Sequence, residues 1–122
     1  MRKLLLIFFF PFLCGAQTNE VWADSLIAYA KQFQGVEYCY GNCTPKTGFD
    51  CSGFVYFVFG HFNIKVPRAS LDYEKQGRII NIESVHKGDI IVFTGTKPKN
   101  RKPGHVGIVV SNPGEDLKFN HV

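Results

Sequence analysis

Cys51 and His105 stand in the two stretches of this chain whose residue types and spacing suit nucleophilic chemistry. Cys51 lies within Phe49-Asp50-Cys51-Ser52-Gly53-Phe54-Val55. Beyond it, Phe54, Val55, Val58 and Phe59 recur at helical spacing, which predicts a helix with one buried face. Asp50 is a good N-cap and sets Cys51 at or beside the first helical position. Unpaired N–H groups and the positive end of the helix dipole favour a thiolate there, the nucleophilic form of cysteine. His105 heads an apolar run in Gly104-His105-Val106-Gly107-Ile108-Val109-Val110. A cysteine on a helix and a histidine on a strand are the minimum parts of a thiol hydrolase. The sulfur attacks an amide carbonyl, and the imidazole takes the thiol proton and returns it to the leaving amine.

The rest of the chain must hold these two groups. Asn19 can cap a helix over 21–34, whose stripe Trp22, Leu26, Ala30 and Phe33 reads as core and whose end is Gly35. Residues 36–40 are extended and 41–48 form a Gly/Pro/Asn loop. The Cys51 helix runs to about 59–61. Residues 64–66 are extended, and Ser70 caps a short helix over 71–76, closed by Gly77. Strands are expected at 78–82, 90–94 and 105–111. Asn112-Pro113-Gly114 then turns the chain so that 117–122 returns antiparallel. Helices first and strands later indicate an α+β domain, with N-terminal helices packed on an antiparallel sheet.

Arg2 and Lys3 precede an apolar run, and Cys14-Gly15-Ala16 supplies small residues, so 1–16 reads as a secretory signal peptide cut after Ala16. The run is too short to span a membrane. A lipoprotein anchored at Cys14 is less favoured, because bulky Leu13 stands where a small residue is wanted. One small domain, 17–122, remains. The formal net charge of +4 falls once Arg2 and Lys3 leave, which gives no case for nucleic-acid binding. Lys97, Lys99, Arg101 and Lys102 read as a solvated loop, or as a contact to an anionic polymer or to substrate carboxylates. Export implies an oxidising compartment, where Cys39 and Cys43 could close a local disulfide and leave Cys51 free. Unpaired thiols are the alternative. A zinc site on Cys39 and Cys43 lacks a second ligand pair with suitable spacing, so no metal is expected. His61 and His86 have no motif context and read as surface or structural.

The stretches together resemble the NlpC/P60 family of cell-wall cysteine peptidases. Val36-Glu37-Tyr38-Cys39-Tyr40-Gly41 is similar to the family's Pro-Tyr-x-Trp/Tyr-Gly-Gly segment, and 47–55 matches its nucleophile motif. Val66-Pro67-Arg68-Ala69-Ser70, Lys87-Gly88-Asp89-Ile90-Ile91-Val92-Phe93, Gly104-His105-Val106-Gly107-Ile108 and Phe119-Asn120-His121 follow in family order. The resemblance implies a papain-like core with no cofactor, with Cys51 as nucleophile, His105 as its base and His121 as the group orienting His105. It also implies that Tyr38, Asp50 and Ser52 line the substrate site. Ser70 is first a helix cap and second a substrate contact. The implied partner is the peptide stem of peptidoglycan, cut between D-glutamate, through its γ-carboxyl, and the next diamino acid, commonly meso-diaminopimelate. The implied location is periplasmic or extracellular. Family domains usually continue beyond the position of His121, and Cys39 replaces a residue that is usually apolar. The competing readings are an N-acetylmuramoyl–L-alanine amidase or other acyl-transfer enzyme on the same core, and a non-catalytic wall-binding relative.

Overall fold

The structure is a computed structural model that describes residues 3–7, 16–94 and 102–120. In chain order it contains strand β1 (Lys3–Ile7), helix α1 (Ala16–Lys31), strands β2 (Cys43–Thr44) and β3 (Gly48–Phe49), and helix α2 (Cys51–His61). A 3₁₀ segment (Ser70–Lys75), strand β4 (Arg78–Ile79) and a second 3₁₀ turn (Ile82–Ser84) come next. Strands β5 (Ile90–Thr94), β6 (Pro103–Val109) and β7 (Phe119–Asn120) complete it. The α+β expectation holds: the helices pack on an antiparallel sheet ordered β4-β1-β5-β6-β7, of which β1 precedes α1 in the chain and the other strands follow α2, and β2 and β3 form a small separate ribbon.

The core explains this order. Phe54, Val55, Val58 and Phe59 of α2 and Leu26 and Ala30 of α1 share one cluster with Ile90, Val92, Val106 and Ile108 of the sheet. Alternate residues Ile91, Phe93 and Val109 pack with Val85 on the other face. This period-two division explains why β5 is buried along its whole length. Removing a Val or Ile side chain from water contributes about 1.5–3 kcal/mol, so the α2–sheet contact dominates the site's rigidity.

Several element limits differ from the sequence expectation. Helix α1 starts at Ala16, before Asn19, and ends at Lys31. Beyond it, Gln32, Phe33 and Gln34 continue in tight turns, donating to Tyr29, Ala30 and Lys31, until Gly35 reverses the chain at φ +88°. Ser70 is not a cap: it is the first residue of its 3₁₀ segment, and the cap position is Ala69, which has no capping side chain. The strand expected over 78–82 stops at Ile79, because Ile82 already belongs to a 3₁₀ turn. Lys3–Ile7, part of the segment read as a removable leader, is strand β1 here, paired to β5 through Lys3↔Phe93 to Leu6↔Ile90. An unbroken apolar run has no period to separate strand from leader. Among the described residues no helix is long and apolar enough to cross a membrane.

Candidate active site

Asp50 organises the start of α2. Its extended backbone (φ −84°, ψ 174°) leaves the helix to begin at Cys51, and its Oδ1 accepts from the Gly53 N–H at 2.6 Å. The same carboxylate accepts Arg68 Nη1 at 2.9 Å and Nη2 at 3.2 Å, one on each oxygen, and the Gly41 N–H at 2.9 Å. Arg68 Nη1 also donates to Ser52 Oγ at 3.2 Å. A bidentate guanidinium–carboxylate pair fixes geometry as well as charge. Burial opposes the ionised carboxyl, yet the bonds from Arg68, Gly53 and Gly41 outweigh it and hold Asp50 below its ordinary pKa. Asp50 is therefore an anion with every oxygen engaged, directly before the partly buried Cys51.

The loop before α2 is pinned to the helix's first turn. The Asp50 N–H donates to the Asn42 carbonyl at 3.0 Å. A Cβ on Gly53 would collide with that same carbonyl oxygen and lie 2.7 Å from Asp50 Oδ1. Glycine at this position is a steric requirement of the approach, independent of its backbone angles.

Tyr38 bridges in parallel to Phe49 and is 58% exposed. Partial desolvation, and then negative charge at Cys51 and Asp50, raise its hydroxyl pKa, so it remains an O–H donor. Tyr73, on the 3₁₀ segment, is fully buried. Its hydroxyl is pushed far up by burial and then by Cys51, with Arg68 opposing. Tyr38, Asp50, Cys51 and Ser52 are thus brought together around Arg68 and Tyr73. Sequence reasoning gave Arg68 only a motif match and passed over Tyr73. Its signal was a lone aromatic three residues after Ser70 in a segment whose other residues, Leu71 apart, are polar.

His105 lies near the start of β6, partly buried, with its ring centroid 5.8 Å from that of Phe93. Strand β6 packs directly on α2 through Val106 and Ile108. The ladder pairs Phe93 with His105 but Thr94 with Pro103, so Gly104 is an extra residue, a β-bulge immediately before the histidine. Bulges add local twist and re-aim the side chains beside them. Ser70 is partly buried where the 3₁₀ segment begins. His121, Lys97, Lys99, Arg101 and Cys14 lie outside the described residues, and Lys102 is exposed.

The remaining expectations resolve individually. Cys39 and Cys43 carry free thiols in this structure, and Cys39 Sγ accepts from Asn42 Nδ2 at 2.9 Å in place of a disulfide bond. His61 stacks on Tyr29 at 3.8 Å, a structural role. The His86 backbone N–H donates to Asp89 Oδ2 at 2.7 Å. Burial pushes the Asp89 carboxyl up to about 6 in spite of that bond and the nearby His86. Among the described residues no group of three or more His, Cys, Asp or Glu is placed to hold a metal ion.

Known proteins resemble this chain in sequence and in fold. The NlpC/P60 family profile matches residues 35–121. The chain is 36% identical to the gamma-DL-glutamyl hydrolase of Bacillus subtilis, over 80% of this chain and 26% of that protein. It is 37% identical to a probable endopeptidase of Haemophilus influenzae, over 92% of this chain and 74% of that protein. It thus spans about a quarter of the length of the first of these relatives. An NLP/P60 family structure from Staphylococcus aureus, described as similar to lipoprotein, superposes with a TM-score of 0.68 at 25% identity, over 91% of this chain and 38% of that one. Sequence profile, relatives and fold agree: the chain belongs to the NlpC/P60 family.

Proposed function

We propose that this protein is a cysteine peptidase that hydrolyses the peptide stem of peptidoglycan, at the bond from the γ-carboxyl of D-glutamate to the next diamino acid. The observation that carries the reading is Cys51 at the first position of α2, beside a fully engaged Asp50 carboxylate. The names of relatives support the chemistry. One is a gamma-DL-glutamyl hydrolase, and another, also from Bacillus subtilis, is a bifunctional muramidase/DL-endopeptidase.

In this mechanism His105 takes the Cys51 proton, with the bulge at Gly104 turning the imidazole toward the start of α2. The thiolate adds to the carbonyl carbon, and the oxyanion is met by backbone N–H at the helix start and by the Tyr38 hydroxyl. His105 returns the proton to the leaving amine as the C–N bond breaks. Water then hydrolyses the thioester with His105 as base. His121 holds the other ring nitrogen of His105 and so fixes its tautomer. Asp50 and Ser52 meet polar groups of the stem while Arg68 keeps them in place. Delivery to the wall uses residues 1–16 as leader.

The test is digestion of purified peptidoglycan by the protein and by its Cys51→Ala variant, with products identified by mass spectrometry. Fragments ending at D-glutamate, absent with the variant, are expected. Release of whole stems would assign an amidase instead. Binding without products would assign a wall-binding relative.

A further inference from the structure

The clamp around Asp50 restricts the kind of substrate end that can meet it. A carboxylate offers about four lone-pair sites. At Asp50 the Gly53 N–H and Arg68 Nη1 occupy Oδ1, and the Gly41 N–H and Arg68 Nη2 occupy Oδ2. Ser52 is drawn in as well: its Oγ lies 3.4 Å from Oδ1 and accepts from Arg68 Nη1 at 3.2 Å. Asp50 and Ser52 are 8% and 5% exposed, whereas the Arg68 side chain keeps 36%. The group turned to solvent is therefore the cation of the pair. Arg68 retains N–H capacity beyond what Asp50, Ser52 and Cys43 take, while the carboxylate has no oxygen left to accept. A stem that meets Asp50 and Ser52 does so through the guanidinium.

No other carboxylate takes its place. The chain has ten acidic residues, and each lies among the described residues. Glu37 and Asp72, next in sequence to Tyr38 and Tyr73, are exposed. The charges that act on those two hydroxyls include Cys51, Asp50 and Arg68, but neither Glu37 nor Asp72. The amino end of a stem lies close to this cluster. Once the sulfur holds the γ-carboxyl of D-glutamate, only that residue and the alanine before it separate Cys51 from the amine. Two extended residues span about 7 Å. A free ammonium there would lose hydration without a counter-ion and would face a guanidinium. An acylated amine carries no charge, and its acyl carbonyl offers Arg68 an acceptor.

Resting on the peptidase reading above, we infer that the protein selects stems whose amino end is acylated, as it is where a stem hangs from the glycan, over released stems that carry a free ammonium. The test uses three synthetic stem peptides that differ only at the amino end: a free alanine amine, N-acetyl-alanine, and a propionyl group in which the amine is absent. Both uncharged peptides are expected to exceed the free amine about tenfold in kcat/KM. Arg68→Gln, which frees the Asp50 oxygens for an ammonium, should move the preference toward the free amine. If that variant does not fold, the wild-type ratios decide alone. Equal rates, preference for the free amine, a gain confined to the acetyl peptide, or ratios unchanged in a folded Arg68→Gln protein would overturn the inference. Equal turnover of all three leaves the hydrolase reading standing and removes only this selectivity. If no peptide is cleaved, the hydrolase reading fails, and the same peptides titrated calorimetrically onto the Cys51→Ala protein decide the selectivity. Tenfold tighter binding of both uncharged peptides supports it, while equal binding, tighter binding of the free amine, or none refutes it.

Discussion

Two aspartates, Asp50 and Asp89, face opposite consequences. Asp50 receives a two-pronged guanidinium and two backbone N–H groups, and its pKa falls. Asp89 receives the His86 N–H, and its pKa climbs to about 6. Desolvation acts on both in the same direction, and at Asp50 the Arg68, Gly53 and Gly41 donors outweigh it, whereas at Asp89 the His86 N–H does not. The molecule spends its strong donors at the start of α2 and leaves the turn before β5 under-supplied. That asymmetry marks where rigidity serves the chemistry.

The largest effect should come from the favoured end. Cys51→Ala and His105→Ala are each expected to lower turnover at least about 10³-fold while circular dichroism remains unchanged. Wild-type rates in either variant would undo the mechanism. Asp50→Ala removes the cap and strands Arg68, so a stability loss of about 2–3 kcal/mol is expected in urea unfolding, discounted because the guanidinium is partly exposed. Because the folded pKa of Asp50 is depressed, its stabilisation is complete above its ordinary value of 3.8 and fades as pH falls through the lower folded value.

Asp89 should show the reverse. Its folded pKa is about 6 against an ordinary 3.8, so below 3.8 it costs nothing, and stability is lost as pH rises from there through 6. Asp89→Asn is therefore expected to match wild type near pH 3.5 and to exceed it by about 1–2 kcal/mol at pH 7, after allowance for the water still reaching the carboxyl. Thermal melts at the two pH values check this, and a gap that does not grow with pH would end the contrast. Arg68→Lys should have the smallest effect, about 1 kcal/mol, because a point charge cannot bridge both Asp50 oxygens. A loss as large as that of Asp50→Ala would show that the fork, not the charge, holds the site.

Much of this was legible in the residues. The α2 start followed from an N-cap beside a helical apolar period, and β5 from a short branched apolar run, because both signals are local. The Arg68 clamp joins residues far apart in sequence, so no local pattern announces it beyond the motif that holds the arginine. The β-bulge before His105 was hidden because Gly104 reads equally as loop end or strand start.

Strand β1 carries a consequence for assembly. Strand β4 joins the sheet only through β1, and β5 has β1 on one side and β6 on the other. A chain cut after Ala16 would release β4 and turn the apolar β5 outward as an unprotected edge, the kind of surface that recruits foreign strands into aggregates. Proteolytic maturation would then exchange a covered β5 for an adhesive edge, and amide hydrogen exchange at Ile90 and Val92, which alternate with the residues bonded to β6, would register the change.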